Sequence, residues 1–293
     1  MERSKIGLEF YRHPEGEGNF GDEISFLVTN YLMDKESYEL VEYTEPTDFN
    51  LLCVGSILNS PLPNAHVFGS GLMNRSPFVG ERTFHAVRGP LTRQILINHG
   101  YKDVPEIYGD PALFLPKFYS PMKKPELASL VGIVPHHTQK DAFHQMNEIE
   151  NGFHIIDPTQ DWKTVVDEMT SCKAILSSSL HGLVVSDAYS IPNAFIAPPM
   201  WICGSCINTR YDVAELELNR FERPTCGCGW HYTYYETFTL PKHEGMLKFK
   251  DYFLSQNREF RYIIHLTEFK ESILHQGGNT LDLAVLKKSF PFS

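Results

Sequence analysis

The stretch Ser177-Ser-Ser-Leu-His-Gly182 gathers three hydroxyls, an imidazole and a glycine at one point of the chain. The apolar residues Ala174 to Leu176 before it read as the end of a buried strand. Leu180, Leu183, Val184 and Ala188 after it recur at close to helical spacing. The serines therefore stand where a helix begins, and its first amides have no partner inside the helix. Two chemistries fit. One serine can cap the helix. Alternatively Ser177, Ser178 and Ser179, with free amides and His181, can cradle an anion.

Other residues could work beside them. Arg88-Gly-Pro90 places a guanidinium where a strand gives way to a helix, either gripping a carboxylate as a fork or making a surface ion pair. In Gly109-Asp-Pro111, Asp110 is a general base or a plain turn residue. Pro135-His-His137 sets His136 at a strand's carboxyl end, where α/β sheets hold ligands, although most of 13 histidines must be structural. Gly18-Asn-Phe-Gly-Asp-Glu23 follows the first strand, with Asp22 a cleft carboxylate or the helix cap. It is not G-x-G-x-x-G, and no Walker loop, H-E-x-x-H or Ser-His-Asp spacing occurs.

Cys203, Cys206, Cys226 and Cys228 are spaced C-x2-C-x19-C-x-C. This is near the zinc-ribbon pattern, but the second pair is tighter. A structural zinc, disulfides and buried thiols all remain open. Trp201, Trp230, Tyr232, Tyr234 and Tyr235 around them form either an apolar mini-core or a patch for stacking on a sugar.

The elements that must position these residues alternate between short apolar runs and helical patterns, which points to α/β architecture with parallel strands. Ile6 to Phe10, Leu51 to Val54, Ala65 to Phe68 and Phe84 to Val87 read as strands of a first block. Tyr119 to Pro125 reads as a linker. Leu130 to Val134, Phe153 to Ile156 and Ala174 to Leu176 are strands of a second block, with a helix from Trp162. The chain has 293 residues, 42% apolar and 21% charged, and a formal charge of −10, which argues against nucleic acid as a partner. The first ten residues lack a signal peptide's apolar region, and the apolar stretch Ile191 to Cys203 is short and broken by prolines. A cytoplasmic setting is expected, with the six cysteines mostly reduced or metal-bound.

Each motif alone is weak, but their order is specific. Gly21-Asp22, Gly55-Ser56, Gly69-Ser-Gly71, Val87-Arg-Gly-Pro90, Tyr108-Gly-Asp-Pro-Ala112, Ile133-Val-Pro-His136, Ser177 to Gly182 and Lys248-Phe-Lys-Asp-Tyr252 follow one another in an order that resembles the polysaccharide pyruvyltransferase family. The likeness is to the ketal pyruvyltransferases of exopolysaccharides such as xanthan and succinoglycan. It extends to Gly277-Gly-Asn279 and the tail to Phe290, and omits roughly residues 201–245.

The resemblance implies an α/β fold of two Rossmann-like lobes with a central cleft, glycosyltransferase-B-like. Residues 1–122 would form the acceptor-side lobe and 123–293 the donor-side lobe, carrying the Cys-rich insertion. It implies transfer of pyruvate from phosphoenolpyruvate to two hydroxyls of a sugar in a cell-surface polysaccharide or its lipid-linked precursor, as a cyclic ketal. Arg88, Ser177, Ser178, Ser179, Leu180 and Gly182 would then bind the donor, and His181, Asp22, Asp110 and His136 would move protons. Asn19, Gly21, Gly71 and Lys248 would line the acceptor side or cleft. No catalytic cofactor is expected. Peripheral contact with the inner face of a membrane follows from a lipid-linked acceptor. The same fold serves nucleotide-sugar glycosyltransferases, and the insertion alone would fit a zinc-stapled binding module.

Overall fold

The computed structural model describes residues 2–10, 19–73, 80–144, 152–196, 247–263, 266 and 269–293. Strand β1 (Ser4–Glu9) leads into helix α1 (Phe20–Leu32), whose cap is Asn19, not Asp22: the Asn19 side chain accepts from Gly21 N. Strands β2 (Tyr38–Glu42), β3 (Phe49–Leu52), β4 (Ala65–Phe68) and β5 (Arg82–Ala86) follow, then helix α2 (Pro90–Asn98), started by Pro90 at a position that needs no N–H. After a 3-10 turn (Pro111–Lys117) come β6 (Val131–Val134), α3 (Lys140–His144), β7 (Phe153–Ile155), α4 (Trp162–Ser171), β8 (Ala174–Ser177), α5 (Leu180–Ala188) and β9 (Asn193–Ile196). Helix α6 (Leu247–Ser255), β10 (Tyr262–Ile263) and α7 (Leu283–Lys288) complete the strands and α-helices of the described residues.

The strands form two five-stranded sheets, β2-β1-β3-β4-β5 and β10-β9-β8-β6-β7, with every pairing parallel. This is a Rossmann-like α/β arrangement. Strands β6, β8 and β9 are buried at every position, as parallel strands covered on both faces must be. One apolar cluster runs from Ile6, Leu8 and Ile24 through Ala112 to Leu115 and on to Ile175, Leu183 and Phe253. The 3-10 turn joins these parts by packing against both α1 and α5.

Two segments behave differently from their sequence texture. The stretch read as a linker is fastened to α4: Tyr119 Oη and Met122 N both donate to Asp167 Oδ1, at 2.7 and 2.8 Å, and Lys124 pairs with Glu168 at 2.8 Å. The C-terminal tail returns to the first sheet, where Phe290 packs on Phe68 and Phe292 on Tyr38, Phe49 and His66. Among the described residues no helix is long and apolar enough to cross a membrane. Cys203, Cys206, Cys226 and Cys228, and the aromatic residues around them, lie outside the described residues.

Candidate active site

The guanidinium of Arg88, just past β5, is wholly buried. It donates to Ser56 Oγ at 2.5 Å and to Leu72 O at 3.0 Å, and its Nε faces Asp251 Oδ2 at 3.4 Å. Gly71 covers it so closely that a Cβ there would overlap the guanidinium. Asp251, from α6, also accepts from Leu91 N, Thr92 N and Thr92 Oγ1. It thereby caps α2, whose own cap residue Gly89 has no side chain for the task. The fork that the sequence offers to a ligand is thus turned inward, and Arg88 acts on its surroundings as a fixed positive charge.

The serines after β8 divide their work. Ser177 Oγ lies 2.7 Å from Val134 O and 2.8 Å from Ser179 O, and it accepts from Ser179 N. Ser178 Oγ donates to Gln139 Oε1 and accepts from His136 N, at 2.7 and 3.0 Å. These two hydroxyls stitch β8 to the loop after β6 and so fix the His136 backbone. Ser179 occupies the cap position of α5, yet its side chain makes no cap bond. Leu180 is buried in the core, and Gly182 lies where a Cβ would overlap Ser177.

His181 sits in the first turn of α5 with its ring beneath Gly21, where a Cβ would overlap the imidazole. The N-termini of α1 and α5, one from each sheet, therefore meet at this ring. Both carry partial positive charge, although the first amides of α1 are already taken by Pro158 O and by Asn19. His181 Nε2 is buried with no hydrogen-bond partner among the described residues. Burial, then the charges of Lys248 and Arg88, push its pKa down to about 3, so the imidazole is neutral.

Carboxyl groups close to it are shifted the other way. Asp22 is buried, takes a 2.5 Å bond from Asn19 Nδ2, and is pushed up to about 7 by burial against the pull of Lys248. Asp110 caps the 3-10 turn with Oδ1, 3.0 Å from Ala112 N, while its Oδ2 is buried and unpartnered. Burial pushes it up to about 6, against Ala112 N and Arg88. So Asp110 is a turn residue with one oxygen and has the other to spare. His136 bonds Thr138 Oγ1 through Nδ1 at 2.9 Å, and is held well below its usual range by burial and by Lys248, His137 and His181. Lys248, from α6, is brought down to about 8 by burial and Arg88 and is supported by Asp22.

Asp22, Arg88, Asp110, His136, His181 and Lys248 thus act on one another electrostatically although they come from six separate stretches of the chain. Asn19, Gly21 and Gly71 frame them. Sequence reasoning assigned nothing to Ser56, Gln139 or Asp251. For Asp251 a signal existed: Lys248, Asp251 and Tyr252 share one helix face.

Comparison with known proteins bears on the same segment. Residues 76–198 match the family model of polysaccharide pyruvyl transferase. The chain is similar to the uncharacterized protein L143 of Acanthamoeba polyphaga mimivirus, 30% identical over 187 residues, which are 61% of this chain and 63% of that protein. It is also similar to the crystal structure of the functionally uncharacterized protein KP1_0663 from Klebsiella pneumoniae subsp. pneumoniae NTUH-K2044, at 12% identity and a TM-score of 0.41, over 70% of this chain and 86% of that one. The matched stretch carries Arg88, Asp110, His136 and His181, and is what the chain shares with the polysaccharide pyruvyl transferase family.

Proposed function

We propose that the protein transfers pyruvate from phosphoenolpyruvate to two hydroxyls of one sugar in a cell-surface polysaccharide or its lipid-linked precursor, giving a cyclic ketal and inorganic phosphate. One observation carries the reading. His181 Nε2 and Asp110 Oδ2 are buried without partners in a cluster that holds Arg88 and Lys248 and two helix N-termini. Unpaired buried groups of this kind cost stability, and a small, highly charged anion would satisfy them.

The opposed pKa shifts suit the chemistry. An acid must protonate the donor's methylene carbon, leaving C2 cationic, and a neutral base must take the proton of the first attacking hydroxyl. Phosphate then leaves with the electrons of its C–O bond, and the second hydroxyl closes the ring as it loses its proton. Asp22 and Asp110, held protonated towards neutrality, are the acids in this scheme, and the neutral imidazoles of His136 and His181 the bases or hydrogen-bond donors. Arg88 and Lys248 stabilise the departing phosphate. The reading includes a glycosyltransferase-B-like pairing of lobes with the acceptor against the first sheet, a cytoplasmic, peripherally membrane-bound setting, and a structural zinc on the four insertion cysteines.

Calorimetric titration with phosphoenolpyruvate and with nucleotide sugars tests the donor. Incubation with candidate lipid-linked glycans, followed by mass spectrometry, tests the transfer. Binding of a nucleotide sugar without phosphoenolpyruvate would replace this reading with glycosyl transfer. Response to neither, with loss of structure on chelation, would replace it with a zinc-stapled binding module.

A further inference from the structure

Helix α6 carries Lys248, Asp251 and Tyr252 at helical spacings of three and four, so they share a face. Two of the three are fully engaged. Asp251 holds Arg88 and caps α2, on the side of the first sheet. The Tyr252 hydroxyl donates to Asp187 Oδ2 at 2.7 Å, on the last turn of α5, whose first turn carries His181. Asp187 is itself held by Asn193 and Arg258 through its other oxygen, at 2.8 and 2.7 Å. The face that bears Lys248 is therefore bolted to elements of both sheets.

Lys248 is the exception. Among the described residues its Nζ has no hydrogen-bond acceptor and no carboxylate at ion-pair distance; the ring of Phe249 lies 5.2 Å away. Asp22 raises its affinity for a proton without pairing with it, and Arg88 opposes it. An ammonium drawn out of water without an acceptor is costly. Arg88, by contrast, has no exposed surface. Of the two cations in the cluster, only Lys248 has an uncommitted head group.

We propose that Lys248 is the direct ligand of the donor's phosphate group, and that Asp251 and Tyr252 are positioning residues which set α6 so that it reaches that phosphate. The proposal rests on the phosphoenolpyruvate reading above but concerns the anion itself. A compact ammonium with rotatable donors suits a phosphate, and His181 Nε2, buried nearby, can share it.

The test is calorimetric titration of inorganic phosphate and of phosphoenolpyruvate into wild type, Lys248→Met, Lys248→Arg and Tyr252→Phe, with melting temperatures measured alongside. Lys248→Met is expected to weaken both anions at least about 10-fold, the loss of one charge-assisted bond, while melting no lower than wild type because it removes a part-buried charge that has no acceptor among the described residues. Lys248→Arg should keep phosphate binding within a few-fold, roughly. Tyr252→Phe should weaken phosphate by about 3- to 10-fold, and the double variant Lys248→Met/Tyr252→Phe should be no weaker than Lys248→Met alone. Losses that add would overturn the positioning role. Lys248→Met that binds as wild type, or fails to fold, would overturn the ligand role. Phosphate binding that depends on Lys248 without phosphoenolpyruvate binding would keep this proposal and sink the donor reading. Wild type that binds neither would sink both.

Discussion

Replacing Asp22 by Asn should make the protein more stable as pH rises, and the structure sets the size of the effect. Burial holds the Asp22 carboxyl at about 7, against 3.8 for the free group. Below about pH 4 folded and unfolded chains both carry the proton. Between about 4 and 7 the unfolded chain releases it while the folded chain keeps it, so the unfolded state binds fewer protons and stability falls as pH rises. About three units at 1.36 kcal/mol each is about 4 kcal/mol, an upper bound given that Lys248 and Asp110 titrate with it. An Asn side chain keeps the bond to Asn19 but has nothing to ionise. Urea unfolding of Asp22→Asn and wild type should therefore nearly coincide at about pH 3.5, diverge up to about pH 7 and level off above it, with the variant ahead by up to about 4 kcal/mol. Phosphoenolpyruvate turnover should fall at least about 100-fold over the same range. A stability difference independent of pH would refute the argument, because Asp22 would then ionise freely in the folded protein.

The other expectations are narrower. His181→Gln should stay folded by circular dichroism yet lose at least about 100-fold in kcat/KM for phosphoenolpyruvate, whereas His144→Gln, exposed on α3, should match wild type; equal activities would return His181 to a packing role. Gly21→Ala drives a Cβ into the His181 ring, so it should lower activity and melting temperature together, and an unchanged melting temperature would contradict the packing described. Arg88→Lys cannot reach Ser56, Leu72 and Asp251 at once, and denaturation should show a loss of about 1–3 kcal/mol; full stability would mean that the fork is dispensable. Elemental analysis of protein purified without metal-affinity resin should find one zinc per chain on the insertion cysteines, and well under one, with four titratable thiols, would end that proposal.

Much of the fold was legible in the chain because parallel strands covered on both faces are unbroken apolar runs, as in Val131–Val134. Strand β2 was not, since Tyr38–Glu42 alternates with glutamates and lies half-buried at the sheet's edge. The turn expected at Asp110 is there, but its length is not written in the motif: the 3-10 helix runs on through the apolar residues to Lys117. The site was legible as a set of residues and not as a set of roles. Three serines in a row suggested three hydroxyls for a ligand, but two are used where β8 ends beside β6. The engagement of Arg88 depends on Asp251, and Asp251's bond to Leu91 spans 160 residues. Local spacing carries no trace of such a pair.

The contrast among the buried charges argues most directly for a functional site. Asp187 receives three side-chain donors, and Asp251 receives three bonds and faces a guanidinium. The fold can evidently satisfy a buried carboxylate where its neighbours allow. By contrast, Asp110 Oδ2 and His181 Nε2 are buried without partners among the described residues, and the Nζ of part-buried Lys248 has none either. Other buried polar atoms without a bond lie elsewhere among the described residues, such as Asn193 Oδ1, Gln256 Nε2 and His275 Nε2, but these three share one electrostatic neighbourhood and differ in kind: an acid, a neutral imidazole and an ammonium. Each loses stability in place, and replacing them by apolar residues of similar size would recover it. Local rules of satisfaction fail together where the protein does its work, and what would satisfy all three at once is an anion that can also accept and yield protons.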